Sequence, residues 1–190
     1  HGEGGTLLYP TLRDRLVALN PGVVTLNSAD AVIARIEGVR TNIEGNAEVL
    51  AWLRGERSVY VDAEKRQRNV SVIDFGHPAH NLFQVSDEWE YTNGQHTNRA
   101  DVMFLINGIP VAVVETKGAA LKDAIDEGVA QIRRYHRETP EMLTAPQVFD
   151  VTHLLDFYYG VTWNLDRKDL FNWKDEEPGN FERKVKRFFA

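Results

Sequence analysis

The sequence predicts an α/β fold, a central mixed β-sheet of about five or six strands flanked by helices on both faces. Three observations carry that expectation. Asn107-Gly108 lies between two β-rich apolar runs, the strongest short-range hairpin signal a sequence offers. Leu121, Ile125, Val129 and Ile132 form an apolar stripe at helical spacing directly after that hairpin. Helical patterns closed by Gly or Pro fill the chain ahead of the first strand candidate. With 190 residues and 43% hydrophobic composition, the chain is long enough to bury one substantial core.

In order, Leu12, Leu16 and Leu19 mark a helix over Thr11 to Leu19, which Asn20-Pro21-Gly22 stops. Ser28 is suited to cap a second helix, Ala29 to Ile36, ending at Gly38, and Asn46 a third, Ala47 to Arg54, before Gly55. Ser58 to Val61 and Val70 to Phe75 read as strands on either side of an exposed charged turn, Glu64 to Arg68. Leu82 to Val85 and the Trp89-Glu90-Tyr91 region read as the next strand, before the central hairpin. The helix after the hairpin covers roughly Leu121 to Glu138, and Thr139-Pro140 ends it. Gln147 to Val151 and Phe157 to Val161 read as strands closing the sheet, and Thr162 to Asp175 as a long loop packing its aromatics. Phe181 to Phe189 reads as a short amphipathic helix that reaches Ala190 without a stop signal. Residues 11–180 are therefore expected to form one domain, 181–190 to begin a helix leading into a following domain, and 1–10, which open on His1, to be disordered or tag-derived.

Composition narrows the function classes. Lys and Arg number 22 against 28 Asp and Glu, a net charge of −6, which argues against a free-standing nucleic-acid binder and for a module delivered to nucleic acid by others. The absence of cysteine excludes a disulfide framework and a thiolate zinc site, and suits a cytoplasmic location. No apolar run approaches the roughly 18 residues of a membrane span, and no G-x-x-x-x-G-K-[ST] motif supplies a P-loop. His77, His80 and His96 fall near loops, too scattered for a metal cluster, and read as surface histidines.

The chemistry gathers around the hairpin. Asp101 stands at the head of one apolar run, and Val111 to Val114 ends in Glu115-Thr116-Lys117. Residues two apart in a strand share a face, so Glu115 and Lys117 point the same way. Two carboxylates and a lysine beside a core fit a Mg²⁺ site for phosphodiester hydrolysis, in which the oxygens hold the ion and the ammonium steadies or deprotonates the attacking water. The blander reading is a surface ion pair of Glu115 and Lys117, worth little. Register complicates the first reading. A two-residue turn puts Ile106 opposite Ile109 and Asp101 opposite Val114, so a shared site requires a longer loop, a bulge or a strong local twist. Downstream, Gln131 and Tyr135 are i and i+4 and reach one spot, although Tyr135 alone reads as a half-buried core aromatic.

Asp101, the apolar hairpin and Glu-x-Lys resemble the PD-(D/E)xK nuclease signature, with Ala100 where that family often carries proline. The wider stretch RADVMFLINGIPVAVVETKG followed by QIRRY resembles the N-terminal nuclease domain of the type I restriction enzyme R subunit. The resemblance extends through Ile73-Asp74-Phe75 and YGVTWNLDRKDLFNWKDE and covers most of the chain. It implies a restriction-endonuclease-like core that cuts double-stranded DNA with Mg²⁺ held by Asp101, Glu115 and the Thr116 carbonyl. Lys117 would orient or activate water, and Gln131 and Tyr135 would position a DNA phosphate or a water on the metal. Related nucleases often add an acid from an early helix. Glu48 is the first choice among Glu44, Glu48 and Glu56, against the commoner outcome of an exposed carboxylate. Arg133, Arg134 and Arg137 would touch the DNA backbone or simply form an exposed charged face. The resemblance further implies modification and specificity subunits that use S-adenosylmethionine, and ATP consumed by motor domains outside this chain. The other reading is a catalytically silent module with a nuclease-like fold that docks to DNA or partner subunits.

Overall fold

A computed structural model of the chain describes residues 5–118, 123–153, 156–164, 166–172, 182–183 and 186–187. Three helices come first: α1 (Tyr9–Leu19), α2 (Leu26–Glu37) and α3 (Ile43–Leu53). The first begins inside the segment expected to be disordered, with Pro10 in its first turn, where a missing N–H costs nothing. The other two begin about a turn ahead of expectation. Thr25, not Ser28, caps α2, and Ser28 completes the capping box from the third helical position. Asn42 caps α3 by accepting from the Gly45 N–H at 3.0 Å. Asn46 lies inside that helix and donates instead to the carbonyls of Thr144 and Pro146, at 2.9 and 3.0 Å. Cap chemistry does not rank two suitable residues a turn apart; here the packing around them does.

A separate two-stranded hairpin follows, β1 (Ser58–Val61) and β2 (Arg66–Asn69). The expected strand Val70–Phe75 is not one. Pairing falls instead on the charged stretch, which tolerates it because Glu64 holds Arg66 and Arg68 at the hairpin end, while Val70 and Val72 are buried as irregular chain.

The main sheet has six strands in the order β3-β4-β5-β6-β7-β8: β3 (Phe83–Thr92), β4 (Thr97–Ile106), β5 (Ile109–Thr116), β6 (Val148–His153), β7 (Asp156–Val161) and β8 (Phe171–Asn172). All neighbours are antiparallel except β5 and β6, which are parallel and joined through helix α4 (Ala124–Glu138), as a parallel pair requires. This is the mixed sheet flanked by helices expected of a restriction-endonuclease-like core. Within the expected loop after β7 lie a 3₁₀ turn, Arg167–Asp169, and the short β8. Leu121 and most of the expected C-terminal helix lie outside the described residues.

Two apolar clusters hold these layers. In one, Ile125, Val129, Ile132 and Tyr135 of α4 meet Met103, Leu105, Val113, Phe149 and Val151 of the sheet. In the other, Leu12, Leu16, Ile33 and Trp52 of α1–α3 meet Ile109. Leu105 faces α4, so alternation puts Ile106 and its partner Ile109 on the opposite face. The hairpin is thus clamped from both sides.

Candidate active site

The hairpin turn is of the expected two-residue kind, with Ile106 opposite Ile109 and positive φ at Asn107 (54°) and Gly108 (87°). Left regular, it would separate the two acids. The ladder instead slips by one between Phe104 and Leu105: Leu105 pairs with Pro110, Phe104 with Ala112, and Val111 is the extra residue of a β-bulge. Val102 then pairs with Val114, and the next step sets Asp101 opposite Glu115 on the face covered by α4. The one sequence signal for the bulge is Pro110, because a proline inside a paired strand is confined to edges and bulges.

Around that pair the side chains form a connected set. Oδ2 of Asp101 accepts from the Thr116 N–H at 2.7 Å and from the Thr116 hydroxyl at 3.0 Å, which locks the acid across the two strands. Lys117 directs its ammonium to Glu115 Oε2 at 3.3 Å and Gln131 Oε1 at 2.7 Å, with Asp101 Oδ2 at 4.0 Å. Gln131 Nε2 donates to the Tyr135 hydroxyl at 2.6 Å, which lies 2.6 Å from the Arg99 carbonyl and 2.9 Å from Glu115 Oε1. All five residues named in the sequence, Asp101, Glu115, Lys117, Gln131 and Tyr135, therefore meet at one place. Tyr135 is fully buried rather than half-buried. A cleft of about 450 Å³ opens beside them, lined by Asp101, Gln131, Arg134, Arg99 and Glu138.

Glu115 has no exposed surface, and burial followed by the charge of Asp101 pushes its carboxyl up to about 7, against the pull of Tyr135 and Lys117. Gln131 donates to the Tyr135 hydroxyl, which in turn faces two acceptors, the Arg99 carbonyl and Glu115 Oε1, and so has one proton to divide between them. Burial and the neighbouring Glu115 also raise Tyr135, which keeps it a neutral phenol. Two facing carboxylates, one of them buried beside the charge of the other, make a donor set that a hard divalent cation fits. Among the described contacts, Oδ1 of Asp101 has no hydrogen-bond partner.

Other candidates stand elsewhere. Both oxygens of Glu48 are engaged by Arg57 at 2.7 and 2.5 Å, and no described contact links Glu48 to the two acids; the strong neighbouring base explains its diversion. Arg134 lies over the Tyr135 ring at 5.5 Å and 3.8 Å from Glu138, at the rim of the cleft, while Arg133 is exposed on the same helix. Asp150 went unnoticed in the sequence. It is fully buried on β6, both oxygens lack a hydrogen-bond partner among the described residues, and burial pushes its carboxyl up to about 8. The histidines need correction too: His77 and His80 come together with Asp74, because the 3₁₀ turn Pro78–His80 stacks i on i+3. The spacing D-x-x-H-P-x-H was the available signal.

Comparison with known proteins identifies the family of the chain. The family described as type I restriction enzyme R protein N terminus matches residues 2–164. A Methanocaldococcus jannaschii protein named as type I restriction enzyme MjaVIIP endonuclease subunit is 33% identical over 128 residues, 65% of this chain and 12% of its own length. A second from that organism, named for MjaVIIIP, is 24% identical over 90% of this chain and 17% of its own. The Escherichia coli type I restriction enzyme EcoprrI endonuclease subunit is 34% identical over 124 residues, 60% of this chain and 38% of its own length. The chain thus spans well under half the length of these relatives. Among the described residues, no helix is long and apolar enough to cross a membrane. With its six-stranded mixed sheet and its match over most of its length, the chain belongs to the type I restriction enzyme R protein N-terminal family.

Proposed function

We propose that this chain is the DNA-cutting domain of a type I restriction enzyme R subunit and hydrolyses phosphodiester bonds of double-stranded DNA with Mg²⁺. The observation that carries the reading is the bulge at Val111, which turns two acids of opposite register into a facing pair beside Lys117, Gln131 and Tyr135. Asp101, Glu115 and the Thr116 carbonyl would hold the ion, whose contribution when bound is to stabilise charge on the phosphate. Lys117, steered by Gln131, orients the attacking water and holds a proton at Nζ. Tyr135 fixes Gln131 and Glu115, and Arg134 meets a DNA phosphate at the cleft rim. The motor that consumes ATP and the modification and specificity subunits that choose the site would lie outside this chain, consistent with the greater length of its relatives.

The test uses the assembled restriction complex. Lys117→Ala and Glu115→Gln should each lower plasmid cleavage by about 10²–10³-fold or more while leaving DNA-stimulated ATP hydrolysis in place. Persistent cleavage would favour the second reading, a silent docking module, which the net charge of −6 suits.

A further inference from the structure

A second cluster of ligand-type side chains lies at the other end of the hairpin, in the loop between β2 and β3. Oδ1 of Asp74 accepts from the N–H groups of Gly76 and His77, at 3.0 and 2.9 Å, which aims Oδ2 at the turn that follows. In that turn the imidazoles of His77 and His80 stack, with ring centroids 5.0 Å apart. Oδ2 of Asp74 is 2.8 Å from Nδ1 of His80 and 3.6 Å from Nδ1 of His77, and the three ligand atoms lie within 4.8 Å of one another. Around a four-coordinate ion with bonds of about 2.0–2.1 Å, neighbouring donors sit roughly 3.3 Å apart. The two carboxylate distances bracket that value and the imidazole nitrogens lie within 4.8 Å of each other, so side-chain rotation alone closes the site.

The backbone beneath it is already fixed. Asn81 accepts from the Asp74 N–H at 2.9 Å and donates to its carbonyl at 2.8 Å. Asn107, in the hairpin turn, donates to Asn81 at 3.0 Å and to the Val72 carbonyl at 2.8 Å. A cleft of about 630 Å³ reaches Asp74 and His80, leaving room for water or a small ligand in a further coordination position. The turn that this loop grips is separated from Glu115 by the length of β5 from Ile109 onward, roughly 20 Å at about 3.3 Å per strand residue, which sets the cluster apart from the cleavage site.

We propose that Asp74, His77 and His80 bind one divalent transition-metal ion, with zinc as the best match, separately from the hard cation of the cleavage site. Two imidazoles and one carboxylate suit zinc and its neighbours rather than Mg²⁺. The ion ties both ends of the Asp74–His80 turn together and stiffens the loop that grips the hairpin tip. The proposal stands whether or not the chain cuts DNA.

The experiment titrates the 190-residue chain with Co²⁺ in excess Mg²⁺, reading visible d–d absorption and stoichiometry, and repeats it with H77A, H80A and the double variant. Both imidazoles are mostly exposed, so truncation spares the core; unfolding of each variant without metal checks this. The wild type should bind one equivalent, displaceable by Zn²⁺. Each single variant should weaken binding by about tenfold or more, and the double variant should lose both the band and any rise in Tm with Zn²⁺. E115Q should keep both. The absence of a band in the wild type, or its survival in the double variant, would overturn the proposal. So would its loss in E115Q alone, because the ion would then belong to the cleavage site.

Discussion

At the residue scale, Glu115 and Asp150 set the acid–base behaviour. Each is an ordinary carboxyl unfolded, near 4.5 and 3.8, and is raised by folding to about 7 and about 8. Between those values the folded chain holds more protons than the unfolded one, so stability falls as pH rises. Their contribution is fully present below the unfolded values and is lost through pH 7 and 8. For Glu115 the difference is on the order of 3 kcal/mol. In EDTA, the urea midpoint of the wild type should therefore be lower near pH 8 than near pH 6, and Glu115→Gln should flatten much of that slope. A midpoint that climbs with pH would contradict the raising of these two carboxyls by burial. The sequence marked Glu115 through its neighbours Thr116 and Lys117. Asp150 has no such neighbours, and only the packing of β6 between β5 and β7 reveals its burial.

At the scale of elements, α4 carries half the site, and its distance from the sheet is set by Gly128. A Cβ there would sit 2.2 Å from Val151 Cγ1, a stiff β-branched side chain in the core. Gly128→Ala gains about 1 kcal/mol in helix propensity but costs about 1–3 kcal/mol of overpacking. The net outcome should be a less stable protein in urea titrations, with Gln131 and Tyr135 displaced and cleavage reduced. Val151→Ala in the same chain should restore part of both. The stripe and the small residue in α4 were legible because helical periodicity extends over many residues. The caps of α2 and α3 were not, since Thr25 and Ser28, or Asn42 and Asn46, are chemically alike and differ only in what surrounds them. Charged β2 was hidden for a related reason: its pairing is local and exposed, so no apolar alternation marks it.

At the scale of the whole molecule, charge decides how DNA is met. With a net charge of −6 and Arg134 at the cleft rim, the chain alone should bind duplex DNA no tighter than the roughly 10⁻⁴–10⁻⁶ M of non-specific binders. A log–log plot of affinity against salt should have a slope of about −1 to −2, as for one or two neutralised phosphates. Fluorescence anisotropy of a labelled duplex reads both, and a slope steeper than about −5 would mean a basic surface that the described residues do not contain. The fold class and the sheet were legible from the order of the segments; the register that makes a site of them was not, because a bulge is a property of two strands together. Between the turn and the acids, β5 is one residue longer than β4. That inequality governs which changes of chain length a descendant survives. Losing Val111, or gaining a residue in β4, levels the strands and leaves the acids opposite one another. The reverse changes double the mismatch, and the odd–even count then carries Glu115 out of step with Asp101. Gaps in these strands are therefore filtered by their direction.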